Sequence, residues 1–131
     1  MNLKRFVVEM GTGVDQHGQD VTKAAVRAVK DATSRVCLSG LREIVMLSSA
    51  DEMLVEVLVA CPNPQEVRKE EVLKALPFGA KQIQLVEGGM LARVTFEPRL
   101  GDKTDCAVVA NAAITVSVDM DKVLQAWGKD N

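Results

Sequence analysis

The sequence predicts an α+β fold: a single, mostly antiparallel sheet with two helices packed on one face. Three observations carry that expectation. Met53–Cys61 alternates along its length as a strand does, two segments open on helix-start signals, and Gly88-Gly89 separates two further strand-like runs.

Taken in order, Arg5–Met10 reads as the first strand, with Phe6 and Val8 on one face and Val7 on the other. Asp20 then stands where an N-cap would accept the unpaired amides of a helix from Val21 to about Arg35. Val21, Ala25, Ala28 and Ala32 recur there at helical spacing, and their small side chains permit close approach to a sheet. Arg42–Leu47 and Met53–Cys61 look like two strands joined by the polar turn 48–52, in which Ser48 and Ser49 are turn formers. Asn63-Pro64-Gln65-Glu66 supplies an N-cap, a first-turn proline and an acidic residue for a helix ending near Leu76, before Pro77-Phe78-Gly79. Lys81–Val86 and Met90–Glu97 flank Gly88-Gly89 as a hairpin. A polar loop, Pro98–Asp105, leads to a long strand, Cys106–Val118, and to a short helix, Asp119–Trp127, packing Val123, Leu124 and Trp127. The order β-α-β-β-α-β-β-β suits a split βαβ or ferredoxin-like core plus a C-terminal hairpin and strand.

With 131 residues, 47% of them apolar, a single domain over 1–131 is expected. Aromatics are confined to Phe6, Phe78, Phe96 and Trp127, which argues against single-stranded nucleic acid bound by stacking. A net charge of −2 without runs of either sign argues against nucleic acid and anionic membrane as partners. Cys37, Cys61 and Cys106 are odd in number and widely separated, so buried free thiols in a reducing cytosol are expected. Neither a signal-peptide pattern nor a membrane-span pattern is present, and the expected location is cytoplasmic.

Function concentrates in Gly11-Thr12-Gly13-Val14-Asp15-Gln16-His17-Gly18, which joins three glycines, a carboxylate and the single histidine between a strand and a helix. A flexible turn carrying a group that titrates near neutrality suits proton transfer. A dinucleotide fingerprint fails because the third glycine position is Gln16, and no Gly-Lys-Ser/Thr triplet makes a phosphate loop. The expected site therefore has His17 as acid/base and Asp15 as its orienting partner, with Gly11, Gly13, Gly18 and Asp20 lining a site for a small polar molecule. No cofactor is identified. An anion at the helix start is a minor option, opposed by Asp15 and Asp20 and favoured by Lys23 and Arg27. Glu9 reads either as facing the motif or as an exposed strand residue, and Arg93 and Arg99 either as reaching a neighbouring copy's site or, more in keeping with lone arginines near a hairpin, as solvated surface groups.

These residues, continuing through Gln19-Asp20-Val21-Thr22-Lys23-Ala24-Ala25, resemble the GxGxDxHG signature of the Lin-type family of conserved hypothetical proteins, along the length of the chain. That family carries no assigned reaction, so the resemblance points to the place of the site and not to its chemistry. A local likeness to the methylerythritol cyclodiphosphate synthases, whose first strand also ends in GxDxH, implies Asp15 and His17 as metal ligands. The helix histidine that completes that set is replaced here by Ala24 or Ala25.

Three functions are thus in competition: an acid/base enzyme, a non-enzymatic oligomeric binding or assembly module with a structural turn, and a metal-dependent enzyme. A homo-oligomer is expected, because apolar residues on both sides of Met53–Cys61 leave an apolar sheet face that association would bury.

Overall fold

Strand β1 spans Leu3–Asp15 and so runs through the glycines that the sequence places in a turn. The computed structural model describes residues 1–130. Gly11 and Gly13 lie on the side of β1 that meets helix α1, Val21–Thr33. A Cβ on Gly13 would stand 2.1 Å from the Ala24 carbonyl oxygen, and one on Gly11 2.4 Å from that of Ala28. Ala24, Ala25 and Ala28 are fully buried on the helix side of this contact. Backbone packs on backbone here, which is possible only where both elements lack bulk. Asp20 caps α1 as expected, accepting the Thr22 N–H at 2.8 Å from extended backbone geometry.

The sheet has five strands, completed by β2 (Leu54–Cys61), β3 (Ala80–Glu87), β4 (Met90–Arg93) and β5 (Cys106–Asp119). Its order is β1-β5-β2-β3, with β5 antiparallel to both β1 and β2. β1 and β2 therefore run the same way on either side of β5, so β1-α1-β2 is a split βαβ unit. β2 and β3 pair in parallel across the connection that holds α3, Lys69–Leu73.

The hairpin expected around Gly88-Gly89 does not form. β3 pairs with β2, while β4 pairs with β5 beyond the point where β2 stops: Ala60 faces Asn111, and Met90 takes over opposite Val109. The chain steps inward by one strand position at the two glycines. Gly89 sits at φ +61°, where a Cβ would be 2.0 Å from the Val109 carbonyl oxygen, and a Cβ on Gly88 would be 2.8 Å from the Ala60 Cβ. The pair serves a close crossing, not a reversal.

Two further elements differ from expectation. Residues 42–47 are not a strand: Gly40–Glu43 form a short helix, α2, followed by Met46 at φ +63°. Leu41 and Val45, one helical turn apart, are the buried pair, and Ile44 is 63% exposed. The helix expected from Asn63 to Leu76 is broken into a 3-10 turn, Pro64–Glu66, and α3, with Val67 extended between them. Ties to α1 accompany the break: the Arg68 N–H donates to Thr22 Oγ1 at 3.0 Å, and its guanidinium reaches the α1 cap Asp20. Tertiary contacts override local helix preference.

One face of the sheet is covered by helices. Val57, Val59, Ala110, Ala112 and Ile114 meet α1 and α3, and further along the same face Val116 and Val118 pack with Leu41, Val45 and Val123. The last helix, α4 (Met120–Asp130), buries Val123 but leaves Leu124 exposed, and Trp127 Nε1 donates to the Ile44 carbonyl at 2.6 Å. Glu9 points into the covered face, where its Oε2 is buried without a partner. Cys61 is buried as expected, whereas Cys37 is exposed. Among the described residues no helix is long and apolar enough to cross a membrane.

Candidate functional site

The chain leaves β1 at Asp15 and turns into α1 through Gln16–Asp20, with Gly18 at φ +86° and Gln19 at φ +52°. Two successive left-handed residues make a sharp corner, and glycine relieves the first of them. The side chain of Gln19 then pins the corner to the loop before β5. Its Oε1 accepts the Lys103 and Thr104 N–H groups at 2.9 Å each, and its Nε2 donates to the Thr104 carbonyl at 2.8 Å. These bonds offset the strain of a non-glycine residue at positive φ.

Asp15 does not orient His17, contrary to the expectation from sequence. Its Oδ1 accepts from Arg27 Nη1 at 2.9 Å and its Oδ2 from the Asp20 N–H at 2.7 Å, so both oxygens are committed within the turn. The same Arg27 nitrogen also donates to the Val14 carbonyl at 2.6 Å. Asp15 is buried and holds the shape of the corner.

The carboxylate on His17 is instead Asp102, 2.9 Å from Nδ1 through Oδ1 and 3.1 Å through Oδ2. Asp102 also accepts the Gly18 N–H at 3.2 Å and the Glu97 N–H at 2.9 Å, and its side chain has no exposure at all. Burial on its own would raise this carboxyl, but the Glu97 amide, His17 and the Gly18 amide together outweigh it and hold the group below the usual carboxylate range. It is an anion at neutral pH. A carboxylate at Nδ1 selects the tautomer with the proton on that nitrogen and leaves the Nε2 lone pair available. The His17 side chain is 33% exposed, and no described residue hydrogen-bonds Nε2.

The remaining expected site residues are drawn into structure. Gly11 and Gly13 receive α1, and the Gly18 amide serves Asp102. Asp20 caps α1 and accepts from Arg68 Nη2 at 3.0 Å. Burial pushes its carboxyl up, yet Arg68 and the Thr22 amide outweigh that and leave it lowered. Arg93 lies on the surface with Asp105 at 3.0 Å. Asp15 and His17 thus have separate partners, and among the described residues no group of three or more His, Cys, Asp or Glu could hold a metal ion. This donor set does not fit the synthase-like metal centre.

Asp102 escapes sequence reading because it lies in a polar loop with no local motif. The link is the register of β1 on β5, which sets Asp15 opposite Val108 and so brings the residues after Asp15 beside the loop before Cys106. A histidine whose partner comes from the far end of the chain has no fixed spacing to find.

A family model described as a conserved hypothetical protein family, Lin0512, matches residues 5–116, a span that includes Gly11–Gly18. The crystal structure of an FtsZ-like protein of unknown function from Nostoc punctiforme is similar over 91% of this chain and 98% of that one, with 47% identity and a TM-score of 0.84. No curated protein matches.

Proposed function

This chain belongs to the Lin0512 family of conserved hypothetical proteins, and we propose that it binds a small polar molecule beside the β1–α1 corner and moves a proton on it through His17 Nε2. The supporting observation is the bond from His17 Nδ1 to the buried Asp102 carboxylate, with the opposite nitrogen left without a described partner. Asp102 is the positioning residue: it fixes the tautomer and stabilises the imidazolium formed when Nε2 takes a proton. Asp15, Gln19 and Arg27 hold the corner that presents the ring. We place the reaction in the cytosol, where Cys37, Cys61 and Cys106 would stay reduced.

A second reading, a structural turn in an assembly module, is favoured by the use of Gly11, Gly13, Asp15 and Asp20 for packing and capping. His17→Gln separates the two. In a screen of small polar metabolites for turnover, an acid/base role predicts that activity found in the wild type falls about 10²–10⁴-fold in the variant, with an unchanged melting temperature. A variant that keeps its turnover, or one that loses melting temperature with no turnover found in the wild type, overturns the proposal.

A further inference from the structure

The face of the sheet away from the helices carries exposed apolar side chains, Val8, Met10, Val14 and Leu58 among them. Register places Met10, Ala113 and Leu58 in one row across β1, β5 and β2. Met10 is 75% exposed and itself forms part of the wall of a hollow of about 460 Å³, which Thr12, Asp31, Leu58, Ala60 and Asn111 also line. A protruding thioether thus borders a depression over Ala113, with Leu58 on the other side of that residue.

We propose that this face is the contact between two copies of the chain related by a two-fold axis, each inserting Met10 into the hollow of the other. Isologous contacts need a surface complementary to itself, and a knob beside a matching hollow provides that. Methionine suits the role because its flexible, polarizable chain fills irregular gaps.

The extent of the face agrees with a stable pair. Strands lie ~4.8 Å apart and rise ~3.4 Å per residue, so the columns of β1, β5 and β2 continued by β4, with the shorter β3, present roughly 750 Å² per copy. Face-to-face seating of the whole surface would remove about 1,500 Å² from water in total, within the range of about 1,200–2,000 Å² for specific complexes. The chemistry favours a second copy over a charged partner, because the row beside Met10 holds Val8, Thr115, Glu56 and Gln82 and presents no field of one sign.

Pairing through the β1 edge is obstructed at its Asp15 end. Asp31 Oδ2 accepts the outward Thr12 N–H at 2.9 Å, and Arg27 holds the Val14 carbonyl, so α1 already occupies two of the groups that a strand added at this end would need. The face carries no such obstruction.

Sedimentation velocity of the full chain tests this. The wild type is expected at twice the monomer mass. Met10→Glu and Leu58→Glu, each placing like charges across the axis, are expected to weaken association at least about 100-fold. Their melting curves should match the wild type at concentrations low enough for it to be monomeric, since both side chains are exposed in the single chain. Met10→Ala, should either charged variant melt low, is expected to shift association in the same direction by less. Leu100→Glu, on an exposed loop residue elsewhere, should leave the dimer intact. A wild type that stays monomeric at every concentration, a dimer unchanged by the Met10 and Leu58 variants, or one dissolved by Leu100→Glu would each overturn the proposal.

Discussion

His17 and Asp102 stand 85 positions apart in the chain, and their side chains meet at 2.9 Å. One carboxylate thereby ties the corner after β1 to the loop before β5, since the Gly18 and Glu97 amides converge on the same group. Stability and chemistry are coupled at a single residue.

Asp102→Asn tests that coupling. An amide can offer only one oxygen, so one of the Gly18 and Glu97 amides, or His17 Nδ1–H, would face a donor. The variant should melt at least about 5 °C lower at pH 7. In the wild type the folded carboxyl titrates below its ordinary value of 3.8, so its contribution is complete above that pH and is lost as pH falls through the lower, folded value. The gap between variant and wild type should accordingly narrow in acid. Nitrogen NMR of the His17 ring should also show the neutral tautomer, fixed in the wild type, becoming mixed. An unchanged tautomer in the variant would refute the positioning role.

The close approach of β1 to α1 makes a second forecast. Gly13→Ala would press a methyl against the Ala24 carbonyl oxygen and the Ala28 nitrogen at 2.1 and 2.3 Å, and neither backbone atom can yield without moving the helix. Urea denaturation should show a loss of about 2–4 kcal/mol. Gly128→Ala is the opposite case: α4 leaves open space there, so removing a glycine from the last turn of the helix should add stability, by less than the ~1 kcal/mol of an interior position.

Glu9 supplies a pH effect of the other sign. Its carboxyl is buried, one oxygen has no partner, and burial pushes its titration above the ordinary value of 4.5. The fold therefore favours the protonated form, and the resulting stability is present below 4.5 and lost as pH rises through the folded value. Glu9→Gln should melt higher than the wild type at pH 7 and alike at pH 4. Equal melting temperatures at both pH values would show that the carboxylate is solvated.

Much of the covered face was legible in the sequence because its signals are local. The alternation of β2 and β5, the Asp20 cap and the alanine stripe of α1 each follow from neighbours a few residues apart. What was not legible depends on partners distant in sequence. Gly88-Gly89 has the composition of a hairpin turn, but β5 was available to take β4 as a partner, so the same residues became a crossing. Leu41 and Val45 carried a four-residue spacing obscured by the apolar run Ile44-Val45-Met46-Leu47. At the site, the location of His17 at the corner was readable and the identity of its carboxylate was not, since Asp15 is its neighbour in sequence but Asp102 its neighbour in space.

The position of β5 in the sheet has a bearing on how the molecule is made. It pairs with β1, β2 and β4, yet it is the last strand to be synthesised. Until it leaves the ribosome, β1 and β2 have no strand between them, and the apolar side chains they will share with it remain in water. Closure of the sheet must therefore await a late, long-range event, which slows folding and lengthens the interval in which a nascent chain is open to misassembly or to capture by a chaperone.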